Sequence, residues 1–404
     1  MIEQGRTATD LLHELDERRA KEPSVHGGRL FGLVYPTARH DLEALLTEVN
    51  NRYLFGNALN PSKFPELAAL ESEVVGMVGD LVHLSTGGGC MTSGGTESIL
   101  MSMLVNRERA RARGIQQPEI VVPQSAHPAY AKAAHYFGMQ LVHVPLDSDF
   151  RADVTAMRAA ISDNTAVVVA SAFSYPFGVM DPVEEIAGLA SDRGIGCHVD
   201  ACIGAFVLPF LERLGHDVPP WDFRVDGVTE MSADVHKYGY CPKGASVVLH
   251  NDPDWFMYQG FVYDDWPSGL YGSAAIAGAR PAAPIATAWA VLNHLGVEGY
   301  TEMTRHLMDV VDTVESGIES IDGVDVVGDP IGPVLAMQSE VHDLYAVGDA
   351  MDDKGWHLNR NRDPEGLHLM LSPVHAQLAD ELVRDLRSSV ADHGERRTGR
   401  ARYS

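Results

Sequence analysis

The sequence predicts an α/β protein whose mainly parallel sheet is flanked by helices, with an N-terminal arm and a small C-terminal α+β domain. Short apolar runs alternate with helical segments from residue 85 to about residue 250, which is the pattern of βα units. The apolar runs are continuous stretches rich in Val and Ile, as expected for parallel strands that are buried on both faces. We therefore divide the chain into an arm with helices (1–84), a large domain (85–300) and a small domain (301–404).

The N-terminal arm is predicted to contain three helices separated by loops. Apolar residues at helical spacing indicate an amphipathic helix over 8–22, a second helix over 41–55 and a third from 67 to about 84. A glycine-rich loop that carries Tyr35 precedes the second helix, and a loop with two prolines, 56–66, follows it.

The large domain begins at a glycine-rich turn, TGGGCMTSGGTES, that leads into a helix. Further helices are predicted at 127–138, 151–162 and 181–193. The apolar runs predicted as strands are EIVVP, MQLVHVPL, TAVVVASAF, IGCHVDACIG, VDGVTEM and ASVVLH. An aromatic region rich in Gly and Pro, 251–285, is predicted as loop, and a long helix follows it from about 284 to 308.

The small domain mixes helical segments with the strand-like runs VDVVG, GPVLAMQS and GLHLMLS. The terminal segment GERRTGRARYS, which starts at Gly394, is predicted to be disordered or loosely held.

The composition is that of an ordinary globular protein and argues against several classes of function. The 404 residues are 45% hydrophobic and 22% charged, and no apolar run approaches the ~18 residues of a membrane helix. The charged N-terminus lacks the apolar core of a signal peptide, so we expect a cytoplasmic protein without a membrane partner. A net charge of −25 argues against nucleic acid as a partner and fits the surface of a protein from a salt-adapted or high-GC organism. The four cysteines have neither metal-ligand spacing nor the density of a disulfide scaffold, so no metal site is expected.

One lysine, Lys237, stands between two apolar runs in the stretch SADVHKYGYCPKG, residues 232–244. A buried ammonium group is costly unless it is paired or neutralised, and a neutral amine can form a Schiff base with a carbonyl. Only six of the 31 basic residues are lysines, and arginine cannot form a Schiff base. Lys237 is therefore a candidate catalytic residue, although an isolated His-Lys pair at a strand end is more often structural.

Three further features are ambiguous when each is taken alone. The stretch TSGGTES places Gly95 and Thr96 at a helix start, where backbone N–H groups and the helix dipole can bind phosphate, although many such starts are only caps. His127 follows a strand and is either structural or able to stack on an aromatic ring. Asp200 ends a buried strand and needs a cationic partner such as a protonated pyridine nitrogen, unless it caps a helix.

Together these features favour one cofactor. A phosphate cup, a stacking histidine, a buried aspartate and a lysine 37 residues after that aspartate are the parts that hold pyridoxal 5′-phosphate. The sequence therefore predicts a pyridoxal-phosphate enzyme with a small-molecule amine as substrate.

Longer motifs surround these residues. They are MTSGGTESILM, SAHPAY, SYPFGVMDPVEEIA, HVDACIGAF, DFRVDGVTEMSADVHKYGY followed by PKG, YGSAAIAGARP, and GWHLN followed by GLH. On these motifs the chain resembles the sphingosine-1-phosphate lyase branch of the group II decarboxylase family, from about Gly28 to about Leu371. The resemblance implies the fold-type-I architecture of pyridoxal-phosphate transferases, with a seven-stranded sheet. It also implies a homodimer with active sites at the subunit interface, where Tyr35 and the loop around Asn57 reach the neighbour's site.

The resemblance assigns a role to each candidate site residue. Lys237 matches the Schiff-base lysine, Asp200 the partner of the pyridine nitrogen, and His127 the ring-stacking histidine. Gly95, Thr96 and His236 match phosphate contacts, and Ser273 matches a phosphate contact from the second subunit. Tyr175 and Lys243 match catalytic groups near the scissile bond and the substrate's polar end. The residues that match substrate-binding positions are Tyr35, Asn57, Asn60 and Lys243.

The resemblance implies carbon–carbon bond cleavage next to an amine-bearing carbon. A base removes a proton from a β-hydroxyl and the Cα–Cβ bond opens; Tyr175, Lys237 and the cofactor phosphate are the candidate bases. The alternative is an L-amino-acid decarboxylase, which an arginine placed for a substrate carboxylate would favour. A pyridoxal-binding protein without catalysis is disfavoured, because Lys237, Asp200 and His127 are all present.

The chain departs from its family at two places. The family's NPLHPD-like loop reads NALNPS here, with Asn60 and Ser62 in place of a histidine and an aspartate, and the family's Ser-Pro-Thr reads Ser273-Ala274-Ala275. Loss of a charge-assisted hydrogen bond weakens anion binding by about ten- to a hundredfold. We therefore expect a hydroxylated amine or amino acid smaller than a long-chain sphingoid phosphate as the preferred substrate.

Overall fold

The computed structural model describes residues 1 and 4–401, and this part of the chain forms twelve α-helices and thirteen β-strands. The helices are α1 Ala8–Arg19, α2 His40–Tyr53, α3 Pro65–Leu81, α4 Gly95–Ala112, α5 Ala129–Phe137, α6 Val154–Ala160, α7 Val183–Arg193, α8 Leu208–Leu214, α9 Pro253–Phe256, α10 Ala282–Glu319, α11 Leu344–Asp353 and α12 Ala379–Ala391. The strands are β1 Gly88–Thr92, β2 Glu119–Pro123, β3 Gln140–Val144, β4 Thr165–Ser171, β5 Gly196–Asp200, β6 Glu230–Ala233, β7 Ser246–His250, β8 Phe261–Tyr263, β9 Tyr271–Ser273, β10 Asp325–Val326, β11 Val334–Gln338, β12 Asn359–Arg362 and β13 Glu365–Met370.

A seven-stranded sheet in the order β1-β7-β6-β5-β4-β2-β3 forms the centre of the large domain. The strands from β6 to β3 pair in parallel, and β7 pairs antiparallel with both β1 and β6. Strand β4, the run TAVVVAS, is buried along its whole length, as a strand covered by helices on both faces must be. The predicted α/β fold with a mainly parallel seven-stranded sheet is confirmed.

The two faces of the sheet are covered by different helices. Val167 and Val169 of β4 pack in one apolar cluster with residues of α4 and α5. Val168 and Ala170, which point to the opposite face, pack in the main core with residues of α7 and α8. The sheet is therefore the middle layer of a three-layer sandwich.

Three neighbouring parallel strands end at one edge of the sheet. Asp200, the last residue of β5, lies in register with Ser171 of β4 and Ser232 of β6. The loops that follow these three strands carry Tyr175, Cys202 and Lys237. In open α/β sheets, ligands bind in the crevice at the carboxyl ends of the strands, so this edge positions the candidate site.

The long helix α10 connects the large domain to a second sheet with the order β10-β11-β13-β12. Gly296 interrupts this helix with φ 55° and ψ −174°, a left-handed φ that favours glycine. The proposed domain boundary at residue 300 falls inside α10, shortly after this interruption, and it remains a proposal. Neither α10 nor any other helix in the described part of the chain is long and apolar enough to cross a membrane.

Several local predictions need correction. The segment predicted as a glycine-rich turn contains the edge strand β1, whose glycines allow close pairing: a Cβ on Gly89 would lie 2.2 Å from the carbonyl oxygen of Val248. The apolar run that starts at Val225 begins as bend, turn and irregular structure, and strand β6 begins only at Glu230. The region predicted as loop, 251–285, contains α9 and the β8–β9 hairpin.

The prediction of a loosely held C-terminal tail is wrong for part of the tail. The backbone N–H groups of Arg397 and Thr398 donate to Oδ2 of Asp349 at 2.6 and 2.8 Å. Because the Asp349 side chain is buried, these bonds fix the tail against α11. The remainder of the prediction, for residues 402–404, lies outside the described residues.

Candidate active site at the carboxyl ends of the central strands

A cavity of ≈ 310 Å³ lies at the carboxyl edge of β4, β5 and β6. Seven of the predicted site residues line this cavity: Gly95, Thr96, His127, Tyr175, Asp200, His236 and Lys237. They come from three loops, the end of strand β5 and the start of helix α4, which are far apart in sequence. The structure thus brings together the residues predicted for the cofactor, except Ser273.

Lys237 lies in the turn after β6 and is held by a carboxylate that the sequence analysis did not identify. Its Nζ lies 3.0 Å from Oδ2 of Asp234, and the Asp234 side chain is 2% exposed. Burial by itself would lower the pKa of the lysine, but the nearby carboxylates, Asp234 foremost, raise that pKa above its ordinary value. Without a bound carbonyl, Lys237 is therefore an ammonium paired with Asp234.

The start of helix α4 forms one wall of the cavity. The first N–H groups of a helix have no carbonyl partner within it, so those of Gly95 and Thr96 can bind an anion. Gly95 is required there because a Cβ would lie 2.6 Å from Sγ of Cys202 and 2.7 Å from Oδ2 of Asp234. Glu97 closes the turn by accepting from the backbone N–H and the hydroxyl of Ser93 at 2.7 and 2.6 Å.

Asp200 lies on the floor of the cavity and is 9% exposed. Its Oδ1 accepts from the backbone N–H of Cys202 at 3.1 Å and from the hydroxyl of Ser232 at 3.4 Å. These bonds hold the carboxylate in one orientation while the residue still lines the cavity. A cation that enters the cavity, such as a protonated pyridine nitrogen, therefore finds a preorganised partner.

Two histidines border the cavity in the neutral form. Nδ1 of His127 accepts the N–H of Ala129 at 3.2 Å, and Nδ1 of His236 accepts the N–H of Ala245 at 3.2 Å. Burial lowers the pKa of both rings, that of His236 to about 4. A neutral ring whose Nδ1 accepts carries its proton on Nε2, so the Nε2–H of His236 is available as a donor for a phosphate.

Lys243 and Tyr35 form a second cationic group beside the cavity. Nζ of Lys243 lies 4.4 Å from the centre of the Tyr35 ring and donates to the carbonyl of His236 at 3.0 Å. Desolvation by the surrounding protein, and then the charge of Lys237, lower the pKa of Lys243 to about 8, although the residue keeps contact with solvent. The Tyr35 ring also packs on Tyr238 at 5.1 Å. These contacts lie within one chain, and the expectation that Tyr35 also reaches the neighbour's site stays a prediction.

Ser273, Asn57 and Asn60 are not part of the Lys237 cavity. The hydroxyl of Ser273 donates to the carbonyl of Ala275 at 2.7 Å, and the residue lines a separate cavity of ≈ 220 Å³. Oδ1 of Asn57 accepts from the N–H of Arg280 at 3.3 Å on the rim of the same region. Asn60 is exposed, and its Oδ1 accepts from the hydroxyl of Ser62 at 2.7 Å. Ser273 and the loop around Asn57, two of the features that the resemblance assigns to the subunit interface, thus lie together around a cavity of their own.

The Lys237 cavity fits pyridoxal 5′-phosphate. The N–H groups at the start of α4 and Nε2–H of His236 are donors for the phosphate, and the absence of a Cβ at Gly95 keeps space open above Cys202. Asp200 offers a carboxylate for the ring nitrogen, and Lys237 an amine for the carbonyl carbon. Each polar part of the cofactor therefore has a partner of complementary charge or hydrogen-bonding capacity.

Comparison with known proteins agrees with this fit. Residues 25–336 match the pyridoxal-dependent decarboxylase conserved domain. Mouse sphingosine-1-phosphate lyase 1 is 43% identical over 394 residues, which cover 96% of this chain and 69% of the mouse protein. The chain belongs to the sphingosine-1-phosphate lyase branch of the pyridoxal-dependent decarboxylase family.

Other members of the sphingosine-1-phosphate lyase branch agree. The lyase of Oryza sativa is 41% identical over 393 residues, covering 95% of this chain and 72% of that protein. The solved lyase of Burkholderia pseudomallei matches with a TM-score of 0.93 at 36% identity, covering 97% of this chain and 92% of that one. A glutamate decarboxylase of Lactobacillus brevis shares the fold, with a TM-score of 0.85 at 20% identity and coverage of 97% and 94%. This chain is therefore a lyase that depends on pyridoxal phosphate.

Several residues of this lyase site were not predicted from the sequence. Asp234 stands three residues before Lys237, and that spacing within a buried turn was the available signal. Cys202 contacts Asp200 from two residues further along the chain, and Ser232 contacts it from the neighbouring strand β6, a relation that appears only once the order of the strands is known.

Proposed function

We propose that this lyase cleaves the Cα–Cβ bond of a phosphorylated amino alcohol, or of a related hydroxy amine or amino acid, to release an aldehyde. The observation that carries the proposal is the arrangement of two lysines. Lys237 stands inside the cavity for the amine chemistry, and Lys243 with Tyr35 stands beside it as an anion-binding group. The curated relatives named above are sphingosine-1-phosphate lyases, which supports this reaction class.

The chain's own groups perform three tasks in this reaction. Lys237 would hold the cofactor through its amine until substrate binds, Asp200 would hold the proton on the cofactor's ring nitrogen, and Tyr175 or Lys237 would take the proton from the β-hydroxyl. As this proton leaves, the oxygen forms the aldehyde C=O and the Cα–Cβ electron pair passes to Cα, which is later reprotonated. The bound pyridoxal phosphate supplies the electron sink for that pair.

Decarboxylation of an L-amino acid receives less support. A decarboxylase of this type is expected to place an arginine for the substrate carboxylate, yet none of the described residues that line the Lys237 cavity is an arginine. Arg360, which borders an adjacent cavity, is already bound to Asp349 and Asp352 at 2.9 and 2.7 Å.

The preferred substrate is proposed to be smaller than a long-chain sphingoid phosphate. Asn60 and Ser62 hydrogen bond to each other at 2.7 Å and bring no positive charge to the loop that carries a histidine in the family. Lys243 is then the cation that we propose for the substrate's anionic end. Fewer charge-assisted bonds weaken the binding of a phosphate, by about ten- to a hundredfold for one such bond.

We also propose a homodimer with active sites at the subunit interface. The β8–β9 hairpin and the loop after it expose a group of large apolar side chains next to Ser273, which supports burial by a second subunit. The exposed residues are Phe261, Val262, Tyr263, Trp266, Leu270 and Ile276. A cytoplasmic location is proposed as well, and the four free cysteines fit a reducing compartment.

The test is a substrate comparison with purified holoenzyme. We would measure kcat/KM for sphingosine-1-phosphate, short-chain 2-amino-3-hydroxy phosphates and β-hydroxy amino acids, and carbon dioxide release from L-amino acids. We expect aldehyde from the short hydroxylated amines, and no carbon dioxide. A tenfold or greater preference for the sphingoid would refute the size proposal, and carbon dioxide release without aldehyde would refute the lyase proposal.

A control variant separates the anion contact from the chemistry. Lys243→Gln removes the charge beside Tyr35 and changes none of the residues that line the Lys237 cavity. It should lower kcat/KM about tenfold or more for phosphorylated substrates and leave unphosphorylated hydroxy amines nearly unchanged. An equal loss of kcat/KM for both classes of substrate would show that Lys243 does not bind the substrate phosphate.

A further inference from the structure

A line of hydrogen-bonded side chains runs through the protein interior behind Asp200. Ser102 lies on α4, His198 on β5 and Ser232 on β6, and all three are 0% exposed. Nδ1 of His198 lies 2.8 Å from the hydroxyl oxygen of Ser102, and Nε2 lies 3.2 Å from that of Ser232. The hydroxyl of Ser232 donates in turn to Oδ1 of Asp200 at 3.4 Å. The line therefore ends on a residue of the active site.

The direction of these bonds follows from counting protons. An ionised Asp200 can only accept, so the single hydroxyl proton of Ser232 is used for that bond. Ser232 must then accept from Nε2–H of His198. A neutral imidazole has one N–H, so Nδ1 accepts the hydroxyl proton of Ser102. Burial lowers the pKa of His198, which keeps the ring in this neutral form.

Burying this line of polar side chains costs folding free energy. Buried imidazole and hydroxyl groups lose their contacts with water, and apolar side chains would fill the same space without that loss. The neighbours on β5 and β6, such as Val199 and Met231, are apolar and equally buried. A polar line in this setting calls for a role that apolar residues cannot supply.

We propose that His198 and Ser232 are positioning residues that hold the Asp200 carboxylate in the correct orientation for the cofactor's ring nitrogen. His198, fixed in one tautomer by Ser102, orients the Ser232 hydroxyl so that its proton points at the Asp200 carboxylate. Each donor stabilises the negative charge on Asp200. This inference rests on the proposed role of Asp200, and its test distinguishes failure of the inference from failure of that role.

The test is a double-mutant cycle on cofactor binding. Ser232→Ala, Asp200→Ala and the double variant are prepared as apoproteins, and the Kd for pyridoxal phosphate is measured by fluorescence quenching. Ser232→Ala should weaken binding about tenfold when Asp200 is present, and by less than about twofold in the Asp200→Ala background. Because the readout is binding, it does not depend on turnover.

A matched control and a second variant guard against a general effect on folding. Ser389→Ala removes a hydroxyl that is also 0% exposed but lies in α12, where it accepts from Lys354 at 2.9 Å. It should leave the Kd unchanged in both backgrounds.

His198→Phe preserves a buried ring without hydrogen bonds and should reproduce the loss of affinity seen in Ser232→Ala. In holoenzyme, Ser232→Ala should also shift the pH midpoint of the cofactor's absorption change by about one unit.

Three outcomes are informative. If Ser232→Ala weakens binding equally with and without Asp200, the line is only structural and the inference is wrong. If Ser232→Ala has no effect on Kd or on the pH midpoint, the inference is also wrong. If Asp200→Ala itself leaves both quantities unchanged, the proposed role of Asp200 fails first, and the inference fails with it.

Discussion

At the scale of single residues, the candidate site is built on charge pairing in a buried place. Lys237 and Asp234 lie 3.0 Å apart at the edge of the core, so each removes much of the desolvation penalty of the other. When the lysine amine has formed a bond to a carbonyl carbon, Asp234 keeps a second contact, with the proposed phosphate donor His236. Nε2 of His236 lies 3.7 Å from Oδ2 of Asp234. Asp234 therefore connects the covalent anchor with a phosphate donor.

Replacing Lys237 separates covalent cofactor binding from this charge pairing. Lys237→Ala should abolish the visible absorption band of the yellow holoenzyme and leave Asp234 unpaired, with a lower thermal midpoint. Lys237→Arg keeps a cation next to Asp234, so it should lose the band but retain more stability. Absorption spectra and thermal melts of both variants test this, with Lys132→Ala, an exposed lysine on α5, as the control. A wild-type protein that stays colourless with added pyridoxal phosphate would contradict the assignment of the cofactor.

At the scale of secondary-structure elements, the start of α4 must leave space for an anion beside its first N–H groups. The helix begins at Gly95 with its first N–H groups facing the cavity, and it packs against the sheet through Ser98, Ser102 and Asn106, one turn apart. These three contact Ser246, His198 and Glu230 on neighbouring strands. The same helix thus presents anion-binding groups at its end and supports the buried polar line along its length.

A methyl group at Gly95 should damage this helix start. The Cβ of Gly95→Ala would lie 2.6 to 2.9 Å from Cys202 and from both carboxylate oxygens of Asp234, so the helix end or the Lys237–Asp234 pair must shift. We expect pyridoxal phosphate to bind about tenfold or more weakly. Gly188→Ala in α7 is the control, because a Cβ there meets nothing within 4 Å and alanine should stabilise that helix by about 0.5–1 kcal/mol. Equal cofactor affinity in the two variants would contradict the proposed cup.

Much of this architecture follows from the sequence, for physical reasons that differ between elements. The β4 run TAVVVAS is apolar throughout because it is buried on both faces, so it was predicted correctly. Strand β1 was missed because its glycines resemble a turn, and only its pairing with β7 explains them. Asp200 and Lys237 were predicted because their chemistry is unusual for buried positions. Ser232 and His198 were not identified, because their roles depend on which strands are neighbours. Asp234 was also missed, although it lies only three residues before Lys237.

At the scale of the whole molecule, stability should depend on pH through buried groups near the site. Burial lowers the pKa of His368, which is 0% exposed and lies 2.8 Å from the carbonyl of Tyr175, to about 4. The unfolded ring takes up a proton near pH 6.5 and the folded ring does not, so His368 lowers stability progressively as pH falls from about 6.5 to 4. Burial raises the pKa of Asp181 to about 6, and this carboxyl acts in the opposite direction: its ionisation destabilises the fold as pH rises from about 4 to 6.

His368→Gln isolates the first of these two effects. The variant keeps a donor for the Tyr175 carbonyl but does not titrate. Between pH 7 and pH 4.5, the free energy of unfolding of the wild type should fall by roughly 2–3 kcal/mol more than that of the variant. Urea denaturation of the apoprotein at several pH values measures the difference. Parallel pH profiles would show that His368 is not kept neutral by the fold.

The proposed assembly of two chains can be tested with a mixed dimer. If each site takes Lys237 from one chain and Ser273 from the other, a dimer of one Lys237→Ala chain and one Ser273→Asp chain keeps one intact site, which has the normal residue at both positions. The two parent homodimers should be inactive, because one lacks the amine and the other places a carboxylate against the cofactor phosphate. The purified mixed dimer should regain up to half of the wild-type activity. If Ser273 instead served its own chain, each site of the mixed dimer would carry one of the two lesions and the mixture would stay inactive. A wild-type chain that sediments as a monomer under assay conditions, yet is active, would contradict the shared site directly.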